Sequence, residues 1–129
     1  MQPTFLGLQG TALTPQETAL FKASNPAGYI LFKRNIDSPD QVRALTASLT
    51  DLAGRPLPIL IDQEGGRVAR LRPPHWPEYP TGETFDRLYD KAPITAMEAA
   101  RLNALALAAM LRDSRNDARR YGGGGASAG

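Results

Sequence analysis

One stretch decides the fold of this chain: Leu57-Pro58-Ile59-Leu60-Ile61-Asp62-Gln63-Glu64-Gly65-Gly66-Arg67-Val68. It is a short apolar run that stops at two acids, two glycines and an arginine. An apolar run of this kind between turn signals predicts a strand buried on both faces. In α/β proteins ligands bind at the carboxyl ends of such strands, so Asp62 and Glu64 stand where a substrate would be held. Gly65 and Gly66 permit backbone angles, or a close backbone approach, that a side chain would forbid.

Composition narrows the possible classes of protein. The chain has 129 residues, the size of one ordinary domain, and 42% of them are hydrophobic. No stretch approaches the about 18 consecutive apolar residues of a membrane span, and the N-terminus lacks the features of a secretory signal. The sequence has no cysteine, and its net charge of +2 does not indicate a nucleic-acid binder. We therefore expect a cytoplasmic protein that binds neither nucleic acid nor membrane.

Three short apolar runs predict strands. They are Phe5–Leu8, Gly28–Phe32 and Leu57–Ile61. Each is followed by a helical pattern, and this alternation predicts an α/β fold of parallel strands with right-handed crossovers. Three such strands leave two bare sheet edges, through which an isolated domain would self-associate. The same pattern is natural as the first three units of a (β/α)8 barrel, which needs about 250 residues.

The predicted helices have clear starts. Thr14–Glu17 and Ser38–Gln41 each combine an N-cap, a proline at the first helical position and a capping-box partner. The second helix carries an apolar stripe and ends at Gly54. The stripe consists of Val42, Leu45, Leu49 and Leu52. After a stiff loop over Arg72–Pro77, a short helix is predicted over Phe85–Tyr89.

A last helix is predicted to open at Thr95–Glu98. It carries an apolar face, which is expected to pack inward. The face consists of Leu102, Leu105, Ala106, Ala109 and Met110.

Three segments together resemble a known family. Ile30–Asn35, Ser38–Gln41 and above all Ile61–Leu71 are similar to family 3 glycoside hydrolases, and among them to the single-domain bacterial β-N-acetylhexosaminidases. The resemblance covers about residues 4–113. It implies a (β/α)8 TIM barrel that removes terminal N-acetylglucosamine from peptidoglycan fragments during cytoplasmic cell-wall recycling. It also implies a covalent glycosyl-enzyme, retention of configuration and no cofactor.

The same resemblance implies a role for Asp62, the first residue after the third strand, and side-chain chemistry suggests roles for Glu64 and Arg67. The residue matching Asp62 binds hydroxyls of the non-reducing sugar, although an aspartate could instead cap the turn. Glu64 either holds the loop, through Arg67 for example, or contacts the substrate directly. Arg67 is expected to clamp the loop through a carboxylate rather than to touch the sugar. The predicted substrate-binding residues are therefore Asp62, Glu64 and Arg67, and no residue of this chain is predicted to be catalytic.

Two other candidate sites are weaker. His75 is the only histidine, but it lies between prolines and Trp76, so we expect it to pack against Trp76 or to face water. Trp76 itself is expected to be a buried structural residue rather than a sugar-stacking platform. Asp62 and Glu64 could form part of a Mg²⁺ site, but the sequence offers no third ligand at a useful spacing. We predict no metal.

The resemblance also implies that the family's Lys-His-Phe-Pro-Gly-His-Gly segment, acid/base loop and nucleophile lie beyond the matched region. After about Asp113 the sequence changes to a polar and glycine-rich run. We expect residues 1–113 to form a partial domain, three βα units of an incomplete barrel, and residues 114–129 a disordered tail from a shifted reading frame. Such a truncated chain is expected to be inactive alone. A non-catalytic amino-sugar-binding module and a non-functional remnant are the alternatives.

Overall fold

A computed structural model describes residues 1–115 of the 129-residue chain. The described residues form two compact units, one built mainly on Met1–Ile61 and the other on Asp62–Asp113. The prediction of a disordered tail concerns residues that lie outside this described part, apart from Ser114 and Arg115.

The first unit contains a three-stranded parallel sheet, as predicted. Its strands, in order across the sheet, are β1 (Gln2–Leu6), β2 (Pro26–Leu31) and β3 (Ile59–Ile61). β1 lies closer to the N-terminus than predicted, because the Gln2 N–H donates to the Asn25 carbonyl at 2.9 Å and β1 pairs with β2 from its first residue. Leu8, which was predicted to lie in the strand, is outside the sheet and buried in the core.

Helix α1 (Pro15–Ser24) begins at the predicted capping box. Thr14 Oγ1 accepts a hydrogen bond from the Glu17 N–H at 3.0 Å, and Glu17 Oε1 accepts one from the Thr14 N–H at 3.1 Å. The helix ends at Asn25, whose φ of 46° lies in the left-handed region that asparagine tolerates better than most residues. Strand β2 starts at the next residue, so a single residue connects helix and strand.

Helix α2 (Pro39–Ala53) also follows its sequence signals. Ser38 and Gln41 form the predicted capping box, and Gly54 ends the helix with a φ of 68°. The Gly54 N–H donates to the carbonyls of Thr50 and Asp51. The predicted apolar stripe packs into the core: Val42, Leu45 and Leu49 are buried and Leu52 is partly buried.

The core of the first unit joins residues from β2, α1, α2 and the connecting loops. Its buried members are Leu8, Phe21, Tyr29, Leu31, Leu45, Leu49 and Leu57. The rings of Phe21 and Tyr29 pack with centroids 5.1 Å apart. The region just after β2 is fixed by Asn35, which is fully buried. Its Nδ2 donates to the carbonyls of Leu8 and Gly10, and its Oδ1 accepts from the Phe32 N–H at 2.8 Å.

Strand β3 differs from the prediction. It is shorter than the apolar run, and it is not buried on both faces: Leu60 is 46% exposed, and Ile59 and Ile61 are half-buried. β3 is the last strand of its sheet, so within residues 1–115 only β2 pairs with it there. The prediction was wrong because an apolar run indicates only that a strand can be buried. It does not indicate which other helices or strands pack against its two faces.

The second unit consists of a small hairpin, a loop and two helices. The hairpin pairs β4 (Gln63–Gly65) with β5 (Val68–Ala69) in antiparallel fashion. The stretch from Arg72 to Pro77 forms turns without regular structure, as predicted. Helix α3 (Gly82–Lys91) extends the predicted short helix at both ends, and it packs against α4 (Pro93–Asp113).

Helix α4 departs from the prediction in its start and its burial. It begins at Pro93, two residues before the predicted start, and the Ala96 N–H donates to the Ala92 carbonyl at 2.9 Å. The predicted inward face is largely exposed: Leu102 is 53% and Leu105 56% exposed, Ala106 and Ala109 are exposed, and Met110 is half-buried. This part of the prediction was wrong because the residues from Leu102 to Leu111 carry no charge on any side, so helical periodicity does not select one face.

By length and composition alone, α4 is also long and apolar enough to cross a membrane. It has 21 residues, and its most apolar 18-residue window has a mean hydropathy of 1.3. The sequence analysis predicted no such segment because it counted uninterrupted apolar residues, and Glu98 and Arg101 interrupt this helix.

Candidate functional site

The candidate site begins where β3 ends. Asp62 is the residue directly after β3, and the chain then enters the β4–β5 hairpin. Asp62 and Glu64 are exposed, whereas Gln63 between them is buried. Successive side chains therefore alternate, so the two acids lie on one side of this chain segment.

The turn of the hairpin requires both glycines. Gly65 has a φ of 100° and Gly66 a φ of 60°, values that other residues rarely adopt. A Cβ atom on Gly65 would lie 2.3 Å from the Pro80 carbonyl oxygen, and one on Gly66 would lie 2.2 Å from the Thr81 methyl carbon. The sequence analysis offered special backbone angles or close approach as alternatives, and the structure shows both.

The central contact of the site joins Asp62 to Arg70. Arg70 Nη2 donates to Asp62 Oδ2 at 3.3 Å. Both side chains stay accessible, with 51% of the Asp62 and 27% of the Arg70 side chain exposed. The Asp62 carboxylate therefore keeps accepting positions open to solvent, and the Arg70 guanidinium keeps donors open beside it.

Arg70 was not among the predicted site residues, although a signal for it was present. A Gly-Gly turn between strand-like residues is a hairpin signal. The observed hairpin pairs Gln63 with Ala69, and continuing that antiparallel register places Asp62 opposite Arg70. Recognition of the turn as a hairpin would therefore have identified this residue.

Arg67 and Glu64 occupy different positions from those expected of a clamp. Both side chains are exposed, and among the ion pairs of residues 1–115 there is none between Glu64 and Arg67. The hairpin is instead held by Arg72, whose Nε donates to the Ala69 carbonyl at 2.9 Å and whose Nη2 donates to the Arg67 carbonyl. Direct contact of Glu64 or Arg67 with a substrate stays a prediction.

The loop after the hairpin confirms a structural role for Trp76. Its side chain is buried, and the His75 ring packs edge-on against it with centroids 5.8 Å apart. A buried indole has no face free for stacking on a sugar. Among the described residues there is no group of three or more acidic or histidine side chains that could hold a metal ion.

Comparison with known proteins then adds evidence that the geometry does not contain. No family model matches the chain. Two curated proteins named β-hexosaminidase are similar to it. The one from Xanthomonas oryzae pv. oryzae is 40% identical over 109 residues, and the one from Alkalilimnicola ehrlichii is 42% identical over 94 residues.

These matches cover 84% and 73% of this chain. The chain is a homologue of the bacterial β-hexosaminidases. It spans about a third of the length of these relatives, 32% and 27% respectively.

Solved structures agree with this assignment. NagZ from Neisseria gonorrhoeae, solved in complex with N-trifluoroacetyl-D-glucosamine, matches 86% of this chain and 33% of its own chain with a TM-score of 0.81 and 29% identity. A glycoside hydrolase family 3 β-N-acetylglucosaminidase from Paenibacillus matches 63% of this chain with a TM-score of 0.58 and 33% identity. The resemblance to glycoside hydrolase family 3 is therefore confirmed, and this β-hexosaminidase homologue has the α/β fold of part of that family.

Proposed function

We propose that this chain forms the sugar-holding part of a β-N-acetylhexosaminidase that removes terminal N-acetylglucosamine from peptidoglycan fragments. The observation that carries the proposal is the Asp62–Arg70 pair on a hairpin with a Gly-Gly turn, directly after a parallel strand. The homology to β-hexosaminidases and the amino sugar bound to the Neisseria NagZ support an amino sugar as the ligand.

Asp62 has the chemistry to hold a sugar by two adjacent hydroxyls. An ionised carboxylate accepts up to about four hydrogen bonds, and Arg70 uses a single position on Oδ2. Hydrogen bonds to charged groups are stronger than those between neutral groups. The Arg70 guanidinium restrains the carboxylate and adds donors beside it, so the pair can recognise neighbouring hydroxyl and ring oxygens together.

The hydrolytic step needs groups that Asp62 and Glu64 cannot supply. A retaining glycosidase uses a nucleophile and an acid/base group on opposite sides of the glycosidic bond, separated by about 5–5.5 Å. Asp62 and Glu64 lie two residues apart on the same side of one chain segment, so both approach a bound sugar from one direction. We therefore expect the chain alone to bind an amino sugar without hydrolysing it.

A non-catalytic amino-sugar-binding module is the second candidate function. It is favoured by the same observation, since the Asp62–Arg70 pair needs no further group in order to bind.

We further propose a cytoplasmic location, completion of a (β/α)8 barrel by the remaining family sequence, and self-association of the isolated chain through its sheet edges. The length of the relatives and the strand order support the second and third of these proposals.

Two measurements on the purified chain test the proposed function. Calorimetric titration with N-acetylglucosamine should show binding, and Asp62→Asn should weaken it by about tenfold or more, since a hydrogen bond to a charged group contributes about 1.5–3 kcal/mol. Asp40→Asn is the matched control, because Asp40 is an exposed aspartate that also pairs with an arginine, Arg43. It should leave the affinity unchanged.

A chromogenic β-N-acetylglucosaminide assay completes the test. We expect no turnover by the chain alone. Turnover that Asp62→Asn abolishes would show that the chain holds its own catalytic groups and would contradict the binding-only view. Failure of the unmodified chain to bind N-acetylglucosamine would contradict the sugar-holding role.

A further inference from the structure

The side chain of Gln63 forms three hydrogen bonds inside the hairpin. Its side chain is buried. Oε1 accepts hydrogen bonds from the Arg70 N–H at 2.9 Å and the Leu71 N–H at 3.0 Å, and Nε2 donates to the Leu71 carbonyl at 2.9 Å. A primary amide combines an acceptor oxygen with a donor nitrogen. Glutamate could make only the two accepting contacts, and methionine, of similar size, could make none of the three.

These contacts lie where the backbone pairing of the hairpin ends. The outermost backbone pair joins Gln63 to Ala69, and Arg70 and Leu71 lie beyond β5. The amide of Gln63 offers a carbonyl and an N–H to these residues, as the backbone of a longer partner strand would. The backbone of Arg70 is therefore held beside Gln63 although the strand has ended.

We infer that Gln63 is a positioning residue that fixes Arg70 against Asp62 and thereby prepares the site for a sugar. This inference rests on the proposed function. An ion pair as accessible as the one between Arg70 and Asp62 contributes only about 0–1 kcal/mol, because solvent screens it and both side chains lose freedom. Anchoring the backbone of Arg70 removes part of that loss before the ligand arrives, which is how preorganisation raises affinity.

A purely structural role for Gln63 makes a different prediction. If the amide only stabilised the hairpin, its removal would lower the free energy of unfolding, and its effect on sugar affinity would add to that of an Arg70 substitution. If Gln63 acts through Arg70, the two effects on affinity overlap, because the second substitution removes a contact that the first has already disabled.

The test is a double-mutant cycle on the affinity of the full chain for N-acetylglucosamine, measured by calorimetric titration. The variants are Gln63→Met, Arg70→Ala and the double variant. We expect each single variant to bind about tenfold more weakly, and the double variant to bind no more weakly than Arg70→Ala. Losses that multiply in the double variant would overturn the inference.

Gln41→Met is the matched control. Gln41 is another networked amide: it accepts from the Asp37 N–H at 2.7 Å and donates to the Thr11 and Asn35 carbonyls, each at 2.8 Å. It belongs to the first unit. Gln41→Met should lower the melting temperature and leave the sugar affinity unchanged. An equal loss of affinity in Gln41→Met would show that general destabilisation explains the Gln63 result.

Two further measurements keep the inference testable. If Gln63→Met does not fold, Gln63→Glu is measured instead. This variant retains the contact with the Arg70 N–H and should keep the sugar affinity within about threefold of the unmodified chain. A loss of affinity equal to that of Arg70→Ala would count against the positioning role of Gln63. Amide hydrogen exchange needs no sugar, so it separates this inference from the proposed function. Exchange at the Arg70 N–H should be at least about tenfold faster in Gln63→Met than in the unmodified chain, and an unchanged rate would overturn the inference.

Discussion

Gly65 provides the most direct test of the hairpin geometry. In Gly65→Ala, the φ of 100° places an L-residue in a region used almost only by glycine, which costs about 1–3 kcal/mol. The new Cβ would lie 2.3 Å from the Pro80 carbonyl oxygen. Because that atom belongs to the backbone, the contact cannot be relieved by a side-chain rotation, and overpacking of this kind costs another about 1–3 kcal/mol. The expected total is about 2–6 kcal/mol of unfolding free energy.

Two other glycines of the same unit provide reference values for this loss of unfolding free energy. Gly66→Ala has a φ of 60° and meets a methyl group of Thr81, which can rotate away, so we expect a loss of about 1–2 kcal/mol. Gly82→Ala meets nothing within 4 Å and lies at the first position of α3. It should be neutral or stabilise the chain by up to about 1 kcal/mol.

The assay is urea unfolding followed by the fluorescence of Trp76. This is the only tryptophan in the chain, and it is buried in the same unit as the three glycines, so its signal reports the transition of interest. The midpoints should fall in the order Gly82→Ala, Gly66→Ala, Gly65→Ala, from highest to lowest urea. If Gly65→Ala unfolded at the same urea concentration as Gly82→Ala, the close approach of Gly65 to Pro80 would be refuted.

Three further predictions concern other parts of the molecule. Burial raises the pKa of the Tyr29 hydroxyl, with a smaller opposing effect from Arg55. A raised pKa gives stability that is present below the unfolded pKa of about 10 and is lost as the pH rises through the folded pKa. Tyr29→Phe should therefore flatten the fall in melting temperature above about pH 10, and an unchanged slope would contradict this. Asn35→Ala would remove the side-chain partner of the Gly10 carbonyl and of the Phe32 N–H, while the Leu8 carbonyl would keep its hydrogen bond from Arg34 Nε. The substitution should cost about 2–4 kcal/mol in urea unfolding, and a loss below about 0.5 kcal/mol, the size of a surface substitution, would contradict this. If the chain self-associates through its sheet edges, as proposed, Leu102→Asp with Leu105→Asp should leave its association in analytical ultracentrifugation unchanged. Weaker association would contradict that proposal and place the interface on α4, where both leucines are more than half exposed.

The sequence analysis succeeded where the controlling interactions are local. The capping boxes at Thr14 and Ser38 and the end of α2 at Gly54 depend on residues within four positions of one another, so short motifs are sufficient to predict them. The parallel order of the strands followed from the alternation of strand and helix patterns, which is a rule of chain connectivity rather than of individual contacts.

It failed where burial depends on distant parts of a protein. The apolar run ending at Ile61 and the uncharged half of α4 both carry the composition of buried segments, yet Leu60 and Leu105 are exposed in the described chain. Composition states that a surface can be buried but not what will cover it. Arg70 was missed for a different reason. Its position opposite Asp62 depends on the strand register, and the register can be predicted only after the turn has been identified as part of a hairpin.

The Asp62 hairpin also has a consequence for the order of folding. Asp62 and Arg70 are eight residues apart, as are Gln63 and Leu71, whereas β2 and β3 meet only after the intervening helix α2 has been placed. Short loops close in about 10–100 ns and lose little chain entropy, while parallel pairing across a helix is slower. We therefore expect the Asp62 hairpin to form early when the whole chain refolds, before the parallel sheet that precedes it in sequence is complete. A hairpin that forms from nearby residues does not depend on the slower parallel pairing of β2 with β3.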